Sequence, residues 1–137
     1  MSTRSIGGTI LLASIALAVL WISLSQDGLF DDDNSGSRGL EKVERVADGD
    51  TLVLESGERI RLYAIDAPEI GEPGADAATD RLRELAGDRV ILVKKGTDQF
   101  DRTLACVYAV DGTSIDNLLI TEGLARPWEG ASCDPTP

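Results

Sequence analysis

A small closed β-barrel of five strands with two short helices, mainly β within the α+β class, is the fold that this 137-residue sequence predicts. Three observations predict it. Five short runs read as strands, of which RIRLYAI alternates with period two, a helix-period run follows the third, a capped helix follows the fifth, and Gly-containing turns separate them. An apolar segment ahead of these runs predicts a preceding transmembrane helix.

That segment comes first along the chain. SIGGTILLASIALAVLWISLS has no charge between Arg4 and Asp27. As a helix, Ile6 to Leu24 would span roughly 28 Å, close to a bilayer core of about 30 Å. Arg4 precedes it and Asp27, Asp31, Asp32 and Asp33 follow it. The positive-inside bias then keeps the short N-terminus in the cytoplasm and puts the rest outside, on the periplasmic or extracellular side. An uncleaved anchor and a signal peptide cleaved after the small-x-small SLS at Ser23–Ser25 both remain open, and both imply export. QDGLFDDDNSGSRG is an acidic, Gly/Ser-rich tether. The expected organisation is therefore an anchor or signal over 1–25, a flexible linker over 26–39 and one domain over 40–137, which is too short for two cores.

Within the domain, KVERVA is the first strand, DGD a tight turn, and TLVLES the returning strand. Gly57 and Glu58 turn the chain into RIRLYAI, which completes a meander. After the EIGEPG loop, ADAATDRLRELAG is a helix with Ala78, Leu82, Leu85 and Ala86 on one stripe and Gly87 just past its end. RVILVKK and RTLACVYAV are the fourth and fifth strands, followed by an Asp111–Gly112 turn. Ser114 caps a second helix, IDNLLITE, which Gly123 stops; the tail LARPWEGASCDPTP has little regular pattern. Five strands with a helix inserted after the third suggest an OB-type barrel.

Composition narrows the chemistry. With no histidine, the chain has no imidazole base, no Ser-His or Cys-His pair and no His-based zinc site. The two cysteines have no CxxC spacing. A formal net charge of −11 is not the profile of a tight nucleic-acid binder.

What remains is carboxylates and arginines. DGDT, Asp48 to Thr51, is first of all a hairpin turn, but Asp50 opens the next strand and the turn alone does not account for it. Asp66 and Glu69 end the third strand around Pro68, where capping is the plainer reading. Together, Asp50 and Asp66 offer hard oxygen ligands from adjacent strand ends, which suits Ca²⁺ or Mg²⁺. Arg61 has the strand parity opposite to Ile60 and Leu62, so it leaves the core side; it and Arg102 read singly as solvated surface. Beside a cation site, two guanidinium forks match phosphate oxygens.

The set VADGDTLVL, RIRLYAIDAPE, TDQFDRTLACVYAVDG and LLITEGLA resembles the staphylococcal nuclease (thermonuclease) family over about residues 40 to 126. The resemblance implies an OB-type barrel that cleaves DNA and RNA with Ca²⁺, leaving a 3′-phosphate and a 5′-hydroxyl. It implies that Asp50, Asp66 and the backbone carbonyl of Ala67 ligate Ca²⁺, with Asp48 as a nearby supporting acid. Glu69 would align or deprotonate the attacking water, and Arg61 and Arg102 would hold the phosphate. Nucleic acid would be the substrate, weakly bound by this acidic chain, and the protein a monomer. A catalytically inactive OB-fold module binding nucleic acid or protein is the alternative.

The sequence also departs from the family. Ala67 stands where well-known members have Thr, and Gln99 and Phe100 where they have Lys and Tyr. Asp101 replaces the usual Gly, where it could pair with Arg102 and compete with phosphate. The chain also ends where a third helix often follows. In an exported domain Cys106 and Cys133 could form a disulfide holding the tail over the barrel with Trp128 as a plug; a free buried Cys106 and a loose tail is the other reading.

Overall fold

The computed structural model describes residues 38–137. The expected anchor or signal over 1–25 lies outside the described residues, as does the linker except for its last two positions. Among the described residues no helix is long and apolar enough to cross a membrane.

The elements in chain order are β1 Gly39–Asp48, β2 Thr51–Leu54, β3 Arg59–Leu62, β4 Ile65–Asp66, α1 Ala75–Ala86, β5 Arg89–Thr97, β6 Thr103–Tyr108, α2 Ile115–Thr121 and β7 Arg126–Pro127. Five strands close a barrel in the order β1-β2-β3-β6-β5, with β5 returning to pair with β1. Only the β3–β6 pairing is parallel. This is the predicted five-stranded barrel with two helices.

Alternation explains the closure. Leu52, Leu54, Ile60, Leu62, Val90, Leu92, Ala105 and Val107 point inward and form one core with Ala78, Leu82 and Ala86 of α1 and Ile115 and Leu119 of α2. Burying a Leu or Ile contributes about 1.5–3 kcal/mol, so this inward set supplies most of the driving force. Gly49 lets α1 approach the β1–β2 turn. A Cβ there would lie 2.7 Å from that of Ala78 and 2.8 Å from that of Ala67.

Two features differ from expectation, and both shape the site. The third strand does not run straight to Ile65. β3 ends at Leu62, the chain bends at Tyr63–Ala64, and β4 leaves the barrel to pair with β7 in a separate two-stranded sheet, Asp66 opposite Arg126. The bend resets the parity, so Ile65, an outward position by alternation, is fully buried. The tail is not patternless either: it supplies β7. Beyond β7, Cys133 is bonded to Cys106 of β6, which closes a second apolar cluster with Ala64 and Tyr108 on the outer side of the barrel wall.

Candidate functional site

The β1–β2 turn presents Asp48 and Asp50 at one end of the barrel. Asp48 Oδ1 accepts the Asp50 N–H at 3.1 Å, an Asx turn that aims both carboxylates the same way. Asp50 is only 9% exposed. Its Oδ2 accepts the Ala67 N–H at 2.9 Å, and its Oδ1 accepts the Thr51 hydroxyl at 3.2 Å. Burial pushes the Asp50 carboxyl up to about 6, against the Ala67 amide and Arg61, which favour its charged form.

Arg61 leaves the core side as its parity requires, but it is not solvated surface: it is 9% exposed. The bend after β3 folds the chain back over it. Nη1 donates to the carbonyls of Leu62 at 2.6 Å and Ile65 at 2.8 Å. Nη2 lies 3.2 Å from Asp50 Oδ2 and 3.6 Å from Asp66 Oδ1. One guanidinium thus joins the two expected cation ligands and braces the bend that carries one of them. The Asp66 side chain is 43% exposed, and Trp128 lies with its ring centroid 5.8 Å from the guanidinium carbon of Arg61.

Arg102, at the head of β6, pairs with Asp98 and not with Asp101. Its Nε donates to Asp98 Oδ2 at 2.8 Å, and its own N–H reaches Oδ1 at 3.0 Å. Asp101 has a φ of 61°, in the left-handed region that Gly adopts freely and Asp tolerates. It turns the chain and does not line the site. Glu69 is exposed on the loop after β4, and its N–H donates to Glu72 Oε2 at 2.9 Å.

The expected site residues converge. Asp48, Asp50, Arg61, Asp66, Ala67, Glu69 and Arg102 line one cleft of about 370 Å³, completed by Pro68 and Trp128. A second cleft of about 360 Å³ shares Arg61, Arg102 and Trp128 and is otherwise largely apolar, with Tyr63 and Phe100 in its wall. Asp98 went unnoticed in the sequence because two acids precede Arg102 and spacing does not choose between them.

Among the described residues, no three Asp, Glu, Cys or His side chains form a group that could hold a metal ion. A cation here would rest on the Asp50 and Asp66 carboxylates, the Ala67 carbonyl and water. That hard-oxygen set fits Ca²⁺, and the buried Asp50 charge is the feature a divalent ion would compensate.

Burial also raises Asp116, at the start of α2, to about 6. A carboxyl whose folded value exceeds its unfolded one contributes stability that is complete below about 4 and lost as pH rises through about 6. Carboxylates held low act in the opposite sense. The Arg81 hydrogen bond lowers Glu122 and the Thr113 N–H lowers Asp111, and their contribution fades as pH falls below about 4. In chelator, thermal melts are therefore expected to show the midpoint rising from pH 7.5 to pH 5 and falling again by pH 3. One raised carboxyl corresponds to on the order of 3 kcal/mol, or about 10 °C or more for a domain of this size. A midpoint that drops steadily from pH 7.5 to pH 5 would contradict these two raised carboxyls.

Comparison with known proteins finds sequence relatives of this chain. The model of the family described as "Staphylococcal nuclease homologue" matches residues 59–134. A thermonuclease of Staphylococcus intermedius is 32% identical over 133 residues, covering 87% of this chain and 78% of the relative. An uncharacterized endonuclease of Escherichia coli O157:H7 is 38% identical over 98 residues, 69% of this chain and 64% of the relative. A micrococcal nuclease of Shigella flexneri is 36% identical over 96 residues, 61% of this chain and 55% of the relative. The match thus spans 64% of the length of the Escherichia coli protein.

Proposed function

The chain belongs to the staphylococcal nuclease family, and from that premise we propose that it is an exported, membrane-tethered, Ca²⁺-dependent nuclease that hydrolyses phosphodiester bonds of DNA, RNA or both. One observation carries the reading: two arginines, an uncommitted glutamate and two carboxylates with a neighbouring carbonyl line the same cleft. A pure binding module needs no such combination.

In this reading Asp50, Asp66 and the Ala67 carbonyl hold Ca²⁺, with Asp48 fixing the turn behind Asp50. Bound there, the ion would polarise a phosphate oxygen and a water. Glu69 takes a proton from the water as its oxygen bonds to phosphorus. The bond from phosphorus to the 5′-oxygen breaks, and that oxygen acquires a proton from solvent, leaving a 3′-phosphate and a 5′-hydroxyl. Arg61 and Arg102 donate to the phosphate oxygens, whose negative charge grows in the transition state. Arg61 is suited to this because the Leu62 and Ile65 carbonyls already fix its head group. The overall charge of −11 implies weak, non-processive binding by a monomer. Export is supported by the apolar run at Ile6–Leu24 and by the disulfide, a bond that persists in oxidising compartments.

The test is cleavage of single-stranded DNA and RNA with Ca²⁺ and with excess chelator. Chelation is expected to reduce product by about a hundredfold or more, since metal polarisation is worth several kcal/mol. Folded protein that gives no Ca²⁺-dependent product would leave the catalytically inactive OB-fold module.

A further inference from the structure

The bend between β3 and β4 decides where Asp66 and Ala67 stand, and a buried carboxylate with no part in the chemistry above fixes that bend. Asp116, in the first turn of α2, is 0% exposed. Its Oδ1 accepts the Ala64 N–H at 3.2 Å and its Oδ2 accepts the Val107 N–H of β6 at 2.9 Å. The Ala64 carbonyl in turn accepts the Trp128 N–H at 2.8 Å, directly after β7. Asp116 is itself placed by the Ser114 cap, whose hydroxyl accepts the Asn117 N–H at 3.3 Å. Asn117 then donates from Nδ2 to the Cys133 carbonyl at 3.3 Å. Two successive residues of α2 therefore fasten the bend and the tail, the two segments whose ends meet at the cleft.

A buried carboxylate is costly, and a hydrophobic residue would fill the same volume at less cost. What a carboxylate adds in its ionised form, the one present above about pH 6, is two acceptors at fixed separation, with no donor. An amide in its place would turn an NH₂ toward one of the two N–H groups, and a hydroxyl would serve only one of them.

We infer that Asp116 is a positioning residue: it ties the β3–β4 bend to β6 so that Asp66 and Ala67 enter the cleft at one angle and Trp128 is seated against Arg61. This rests on the nuclease reading of the cleft. It predicts a loss of rate with little loss of substrate binding, because Arg61 and Arg102 stay on the barrel strands while the groups carried beyond the bend, Asp66, Ala67 and Glu69, lose their register. A misplacement of about 1 Å can cost on the order of a hundredfold.

The experiment compares wild type, Asp116→Asn, Asp116→Ser and Ile115→Val, a mild core change in the same helical turn, in the full chain with saturating Ca²⁺. Asp116→Asn is expected to lower kcat at least tenfold with KM within about threefold, whereas Ile115→Val keeps kcat. Amide exchange should accelerate at least tenfold at Ala64–Ala67 in Asp116→Asn and remain unchanged at Leu52–Leu54. A folded Asp116→Asn with wild-type kcat and wild-type exchange at the bend overturns the inference. If neither substituted form folds, exchange in the wild type decides, since rapidly exchanging Ala64 and Val107 amides would equally overturn it. Absence of cleavage by the wild type would sink the nuclease reading alone, because the exchange measurement judges Asp116 without any activity.

Discussion

Arg102→Ala is expected to lower kcat about a hundredfold or more while leaving the domain nearly as stable, and Arg61→Ala to lose both rate and stability. Both arginines face the same cleft, and loss of one preorganised donor to a developing oxyanion typically costs about 3 kcal/mol of barrier. Their structural duties differ. Arg102 has one ion pair, to Asp98, whose carboxylate also accepts the Phe100 and Arg102 backbone N–H groups and so keeps partners when the guanidinium is removed. Arg61 satisfies two carbonyls and lies against the buried Asp50. Its removal leaves that carboxylate without its counter-charge, a change that costs about 3–5 kcal/mol for a buried pair. Arg61→Lys should not rescue the protein, because one ammonium cannot reproduce a fork that serves carbonyls on one side and carboxylates on the other. Steady-state kinetics and melts on the three variants separate the effects. Equal stability of Arg61→Ala and Arg102→Ala would refute the bracing role, and a kcat within tenfold of wild type in both would remove the arginines from the reaction.

The same residue marks how far the sequence could be read. Period two told correctly that Arg61 leaves the core side, and Leu52, Leu54, Ile60 and Leu62 were legible as inward positions because each pair takes alternate places within one short strand. Alternation could not reveal that the strand breaks at Tyr63–Ala64. The groups that hold the bend, Asp116 and Trp128, come from far along the chain, and no local pattern encodes them. From this follow the errors of exposure at Arg61 and of parity at Ile65. The site itself was legible as a set because Asp50, Asp66 and Arg102 sit at strand ends, where topology fixes position within a residue or so. Their partners were less so: two acids precede Arg102, and only the fold of the turn shows that Asp98 is the one it meets. Asp116 was invisible for a related reason, since an acid in the first turn of a helix looks like a solvated one until the helix is docked.

Removing the Cys106–Cys133 bridge is expected to lower the melting midpoint by on the order of 20 °C and to loosen the cleft wall. The two cysteines are 27 residues apart in sequence, and the loop between them contains α2 and β7. In the chain-entropy model, closing such a loop contributes roughly 3.5 kcal/mol by restricting the unfolded chain, and each kcal/mol is worth about 4–8 °C in a domain near 100 residues. The native-state effect is local. Beyond Pro127 the tail is held by the Trp128 N–H on Ala64 and the Asn117 side chain on Cys133, besides the bridge. Trp128, 53% exposed, has little burial to retain it once the end is free. Cleavage should therefore fall, though less than in the arginine variants, because Asp48, Asp50 and both guanidiniums stay on the barrel. Cys106→Ala/Cys133→Ala suits the test better than serine, which would bury a hydroxyl at position 106. Thiol titration of the native protein should find none free and, after reduction and unfolding, two. Two reactive thiols in the native protein, or a midpoint indifferent to reductant and to the double substitution, would mean that the tail keeps its place without the bridge.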